Sequence, residues 1–177
     1  MARTDFLLGI FRLLDMGQQV ARYGLEIDHL RLEDANVKEQ MPALVDKNVI
    51  VEGDIQKTKI YQTQEVPYLN LKSVVLAEEG FPKNLKASSI FKGKLTFREH
   101  APASDKWFYM LQSIEVLLDV GQLDVAKFVN EQVKVIGWFE GTPVGSSNYF
   151  LFKVTEIGIH KGLTELADEK KVATENR

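Results

Sequence analysis

The chain has 177 residues, 45% hydrophobic and 27% charged, the length and balance of a single globular domain, which excludes pervasive disorder and a collagen-like fibre. Cysteine is absent, so there is no disulfide framework, thiolate nucleophile or cysteine zinc site, and a cytoplasmic location is the expectation. With 22 Lys and Arg against 25 Asp and Glu, the net charge of -3 lacks the strongly basic balance of a dedicated nucleic-acid coat.

Near the N-terminus, Phe6, Leu7, Ile10, Leu13, Leu14 and Val20 recur at spacings of three and four, with Thr4 or Asp5 placed as a cap and Gly24 as a stop. The spacing predicts a helix over 4–23. Leu8 and Phe11 fall outside its apolar arc, so the helix must bury two sides. It is expected to pack across the β body, or to offer Phe6, Leu7, Ile10, Phe11 and Leu14 to a protein partner or a second copy. The uncharged run from Phe6 ends at Arg12 with no small-residue cleavage site after it, so neither a membrane span nor a signal peptide is expected. Residues 25–32 alternate as a short strand, and 34–45 read as a turn of helix interrupted at Pro42. Residues 1–45 are thus expected to form a helical N-terminal arm.

From Asn48 to His160 the period changes to two, and Val, Ile, Phe and Tyr gather in short runs between Gly, Pro, Ser and Asn. This body, 46–163, is mainly β. Three runs pass through a glycine, at Gly53, Gly93 and Gly137, and each is followed by a returning strand over 68–76, 108–116 or 150–157. A glycine inside a strand marks a bulge, a sharp coil or a close backbone approach, the means by which a small sheet curls. Between the second and third hairpins, Leu123, Ala126 and Phe128 or Val129 are spaced for a short helix within 122–130. The last segment, 164–177, has almost nothing to bury and reads as a polar tail.

A curled sheet, a helix before the last hairpin and a glycine in the strand after it resemble the OB-fold. The resemblance covers roughly residues 48–160 and rests on Gly93, Gly137, the 122–130 helix and the Phe150 to Ile159 strand. The expected fold is therefore mainly β, an OB-like closed or partly open barrel of about six strands, with an N-terminal helix and a short helix before the last hairpin. A β-trefoil is the rival, since units of about forty residues suit its threefold symmetry; it needs four strands per unit, where two are evident. The resemblance implies a module that binds single-stranded nucleic acid or a protein partner, without a cofactor.

Such binding needs aromatic platforms and cations on one face. Residues 82–98 hold Lys83, Lys86, Lys92, Lys94 and Arg98 and no acid. Lys92, Lys94 and Arg98 alternate with Phe91, Gly93, Leu95 and Phe97, so they project from the face opposite the core. Lys134 and Trp138 share a face, as do Tyr149 and Lys153. With Trp107, these eight residues, Lys92, Lys94, Arg98, Trp107, Lys134, Trp138, Tyr149 and Lys153, are the candidate nucleic-acid contacts. The competing expectation is that Trp138 and Tyr149 pack under the N-terminal helix.

Catalysis finds no motif. His29, His100 and His160 are isolated, with no metal spacing, phosphate loop or nucleophile elbow. Glu52 and Asp54 flank Gly53 on the expected outer face, where they blunt the sheet edge. The reading is a non-enzymatic accessory factor or complex subunit; its alternative is an assembly protein that self-associates through the N-terminal helix and exposed edges.

Overall fold

The computed structural model describes residues 4–16, 21–60, 64–79, 89–99, 107–140 and 151–160. The polar tail, His100 and Tyr149 lie outside them.

The expected N-terminal helix is two strands, β1 (Asp5–Met16) and β2 (Ala21–Glu33). Leu7 and Phe11 point inward and are fully buried, while Phe6, Leu8 and Ile10 point outward and are half-exposed. The apolar residues that overran one helical arc divide by alternation between the two faces of a strand, Leu7 and Phe11 on one and Phe6, Leu8 and Ile10 on the other. Gly24 lies inside β2, where a Cβ would come 2.7 Å from Leu14 Cδ1. A single helical turn follows, α1 (Met41–Leu44), with Pro42 in its first turn, where a missing N–H goes unneeded.

The remaining strands are β3 (Asn48–Ile60), β4 (Gln64–Leu76), β5 (Ser89–Phe97), β6 (Tyr109–Asp119), β7 (Gln132–Phe139) and β8 (Leu151–Ile159). Six strands fall in the body as expected, but β1 and β2 make eight. The helix expected over 122–130 is one 3-10 turn, Ala126–Phe128, which buries Phe128.

The strands close into a ring in the order β1-β2-β4-β3-β5-β6-β8-β7. Pairing is antiparallel except for β2 with β4 and β6 with β8, which are parallel. An additional antiparallel pairing of β2 with β6 crosses the ring. It divides the ring into two lobes of five strands each, the first β1-β2-β6-β8-β7 and the second β5-β6-β2-β4-β3. Residues 1–45 are therefore no separate arm, since β1 and β2 are walls of the lobes.

The shared pair serves both lobes because each strand turns its buried face over at its middle. In β2 the buried positions change from Leu25 and Ile27 to Leu30 and Leu32, with Asp28 and His29 both exposed between them. In β6 they change from Leu111 to Ile114, Val116 and Leu118, and Ser113, at the changeover, has φ 57°. A one-residue change of phase moves every following side chain to the other face.

The two halves of the chain, β1 to β4 and β5 to β8, correspond strand for strand. Gly9 of β1 pairs with Val133, and Gly93 of β5 pairs with Val49. Leu32 pairs in parallel with Leu69, and Leu118 with Phe152. Both β3 and β7 carry a register shift, at Glu52/Gly53 and at Ile136/Gly137. The glycines therefore match as Gly9 with Gly93 and Gly53 with Gly137. The threefold recurrence expected from Gly53, Gly93 and Gly137 is replaced by a twofold one, because Gly93 belongs to a different strand of the unit.

One apolar cluster runs through both lobes. Phe139 joins it across the boundary, its ring 5.2 Å from those of Phe91 and Phe152 in edge-on contacts. Glu52, expected on the outer face, is 1% exposed and accepts a hydrogen bond from Ser73 Oγ at 2.8 Å. Among the described residues no helix is long and apolar enough to cross a membrane.

Candidate nucleic-acid interface

Strand register brings residues from distant parts of the chain into lateral rows on the outside of the second lobe. Cα partners in a sheet point their side chains to the same face. Lys94 of β5 is partnered by Gln112 of β6, and Gln112 by His29 of β2. In the next row Thr96 is partnered by Met110, Met110 by Arg31, and Arg31 by Tyr68 of β4. The intervening row, Leu95, Leu111 and Leu30, faces the core; in the Arg31 row Arg31 and Met110 are themselves buried, 8% and 5% exposed, and the exposed members of the two outward rows are Lys94 and His29.

Lys92 and Lys94 are exposed along β5, as alternation requires. Arg98, just past the strand, is half-buried, and its guanidinium donates through Nε to the Trp107 carbonyl at 2.9 Å and through Nη2 to the same oxygen. That clamp holds Trp107 where its ring meets Tyr68, with centroids 4.4 Å apart. Lys94 and Arg98 therefore share a face with His29, the buried Arg31 and the Tyr68 and Trp107 rings, and Lys92 lies further back along β5, opposite Ile50.

The face borders a cavity of about 550 Å³, walled on the other side by Leu8 and Ile10 of β1 and by His160. Gln112 Nε2 can only donate, so at 2.8 Å His29 Nε2 accepts, leaving Nδ1 to donate to Asp28 Oδ2 at 2.9 Å. His160 Nε2 likewise accepts from Gln64 Nε2 at 2.8 Å. Burial, and then the nearby Lys134 ammonium, hold the His160 imidazole below its ordinary pKa.

The corresponding face of the first lobe has different chemistry. Its rows read Ile10, Glu26, Glu115 and Arg12, Gly24, Leu117, Leu151. Two glutamates stand where the second lobe has Gln112 and His29, and Leu8 and Ile10 stand where it has Lys92 and Lys94. In those two rows the cation is Arg12, taken up by Glu26 Oε2 at 2.8 Å and Asn130 Oδ1 at 2.7 Å, and Lys134, the partner of Leu8, stands on the same face.

Trp138 and Lys153 are partners across β7 and β8, with Lys153 Nζ 5.8 Å from the Trp138 ring centroid. Lys134 Nζ sits 4.6 Å over the Phe6 ring. These three lie on the first lobe, apart from the Lys92, Lys94 and Arg98 row, and among the described residues no helix covers Trp138. Of the expected partner-contact residues, Leu7 and Phe11 are fully buried and cannot touch another chain, whereas Phe6, Ile10 and Leu14 are half-exposed. His29, Arg31, Tyr68, Met110 and Gln112 escaped sequence reasoning, because their neighbourhood depends on the β2–β4 and β2–β6 pairings, which no local pattern announces.

Among the described residues no three His, Asp or Glu side chains come together to hold a metal ion. No family model, curated protein or solved structure matches the chain.

Proposed function

We propose that the chain is a non-catalytic cytoplasmic binding module that holds a single strand of nucleic acid on the outer face of its second lobe. The carrying observation is the registered set of Lys94, His29 and Tyr68 with Arg98 and Trp107, beside the buried Arg31, on a face whose counterpart in the first lobe bears glutamates. Cations along a strand path with aromatic stacking platforms are the chemistry of sequence-tolerant single-strand binding.

The connectivity supports an OB-like reading of each lobe. In the first lobe β1, β2, β6, β7 and β8 follow one another as strands one to five, with the third parallel to the fifth and the 3-10 turn between the third and fourth. In the second lobe β5, β6, β2, β3 and β4 take those places. Its second and third strands are then β6 and β2, the face OB-folds use for oligonucleotides.

The test is fluorescence anisotropy with labelled oligo-dT and oligo-U over a salt series. Binding weakens with salt, and Lys92→Ala with Lys94→Ala lowers the slope of log K against log salt by about 1.4, from about 0.7 per phosphate on a single strand. Glu26→Gln with Glu115→Gln, on the first lobe, leaves that slope alone. Absence of binding to both strands at low salt, or a slope indifferent to the lysines, rejects the proposal.

Protein contact is a second role favoured by the first lobe, where Phe6, Leu8, Ile10, Leu117 and Leu151 are half-exposed outward residues and Leu13 is 41% exposed. Light scattering on the full chain, with and without Ile10→Glu, tests whether this face joins copies of the protein.

A further inference from the structure

The mouth of the second lobe carries a second cavity, of about 570 Å³, beside the Arg98 and Trp107 clamp. Phe97 and Phe108 stand at its rim, 46% and 45% exposed, with their rings stacked at 6.1 Å and 24°. Tyr109 meets Phe97 at 5.1 Å. Two phenylalanine rings left half in water on a chain with a well-filled core are a costly surface, of the kind that marks a binding site. The indole of Trp107 lines the same cavity while contacting Tyr68 of the outer face, so the mouth continues the strand path.

The polar groups in the cavity select what enters. Asp34, Glu33 and Lys38 line it, and none of the three has an ion pair among the described residues. Asp34 is close enough to the Tyr109 hydroxyl that, after burial, its carboxylate is the second cause raising the phenol above its ordinary pKa. Carboxylates repel a phosphate, so the sugar-phosphate chain stays on the cationic face and a base turns inward. A carboxylate has two acceptor oxygens side by side. Guanine alone among the common bases offers two adjacent donors, N1–H and the N2 amine, on its Watson–Crick edge. Adenine, cytosine, thymine and uracil each offer one donor group there.

We propose that this mouth is a guanine-selective subsite, in which one base of the bound strand stacks on Phe97, Phe108 and Trp107 and gives its N1–H and N2 amine to the Asp34 carboxylate. The subsite rests on the single-strand reading of the adjacent face. A site that pairs with a base's donors rejects bases lacking them, because its polar groups are then left unpaired.

The experiment compares three labelled strands of about a dozen nucleotides on the full chain: all dT, dT with one central dG, and dT with one central deoxyinosine, which keeps N1–H and lacks the N2 amine. The dG strand binds about tenfold tighter than all-dT, equivalent to about 1.4 kcal/mol, and deoxyinosine loses most of that gain. Asp34→Asn collapses the dG to dT ratio, and the ratio is read within one protein, so it does not depend on the variant's overall affinity. Phe108→Ala, a change at an exposed ring, also lowers the ratio. Equal binding of dG and dT strands by the wild-type chain, or a ratio that survives Asp34→Asn, overturns the subsite. Failure of every strand to bind overturns instead the single-strand reading beneath it.

Discussion

Asp46 and Asn130 hold the same position in the two halves of the chain. Each has φ 70°; the Asp46 amide donates to the Leu95 carbonyl and the Asn130 amide to the Phe11 carbonyl, both at 2.7 Å. The next residues repeat the match, with Lys47 and Glu131 carbonyls accepting from the Leu95 and Phe11 amides at 3.0 Å. Each left-handed residue ends the turn before β3 or β7 and fastens it to β5 or β1. Asp and Asn tolerate this conformation because their short polar side chains bond locally, whereas a β-branched side chain crowds the backbone.

Asp46→Val and Asn130→Val are each expected to cost about 1–2 kcal/mol, and the glycine variants to remain within about 0.5 kcal/mol of the parent. Urea unfolding midpoints of the four variants check this. The pairing of the halves predicts that the two valine variants are destabilised alike.

Gly137 and Gly53 are expected to be intolerant of alanine. A Cβ at Gly137 would lie 1.7 Å from the Lys153 carbonyl oxygen, and one at Gly53 2.2 Å from that of Asn70. Backbone of the paired strand cannot yield as a side chain can, so Gly137→Ala costs about 3 kcal/mol or more, at or above the usual upper end for overpacking. At Gly158 nothing lies within 4 Å, and Gly158→Ala is expected to be neutral; urea unfolding midpoints of the glycine variants check both.

Stability is expected to fall on the acid side through His160. Its folded pKa lies below the ordinary 6.5, by burial first and by Lys134 second, so between the two values the unfolded chain binds a proton that the folded chain does not. Its contribution is fully present above the ordinary value and is lost as the pH falls below it. Protonation also puts an N–H where Gln64 Nε2 now donates. His160→Asn should flatten the dependence of unfolding free energy on pH below about 6.5, measured by denaturant titration across that range.

Much of the β body was legible, because Val, Ile and Phe alternate there with polar residues and glycines mark where strands bend. The N-terminal strands were not. Their Leu-rich run lacks β-branched residues after Ile10, and two half-buried faces overlap into an apparent helical spacing at Leu7, Ile10 and Leu14. Lys92, Lys94 and Arg98 could be placed on an outer face from alternation alone. What they face could not, since Arg31 reaches Tyr68 through a parallel pairing and His29 reaches Gln112 across the ring. The twofold relation was hidden for a similar reason: Lys92 and Leu8, or His29 and Glu115, correspond in position and share no chemistry.

Because β1 finds its second partner only in β7, its ring cannot close until residues Gln132–Phe139, far along the chain, have been made. Until then β1 is held through β2 alone and carries an open edge, with Leu7 and Phe11 not yet enclosed. The second half depends on the first in turn, since β5 needs β3. Neither half can finish folding by itself, so the chain commits late and all at once. Such long-range closure places its folding in the slow, millisecond-to-second regime of non-local β proteins.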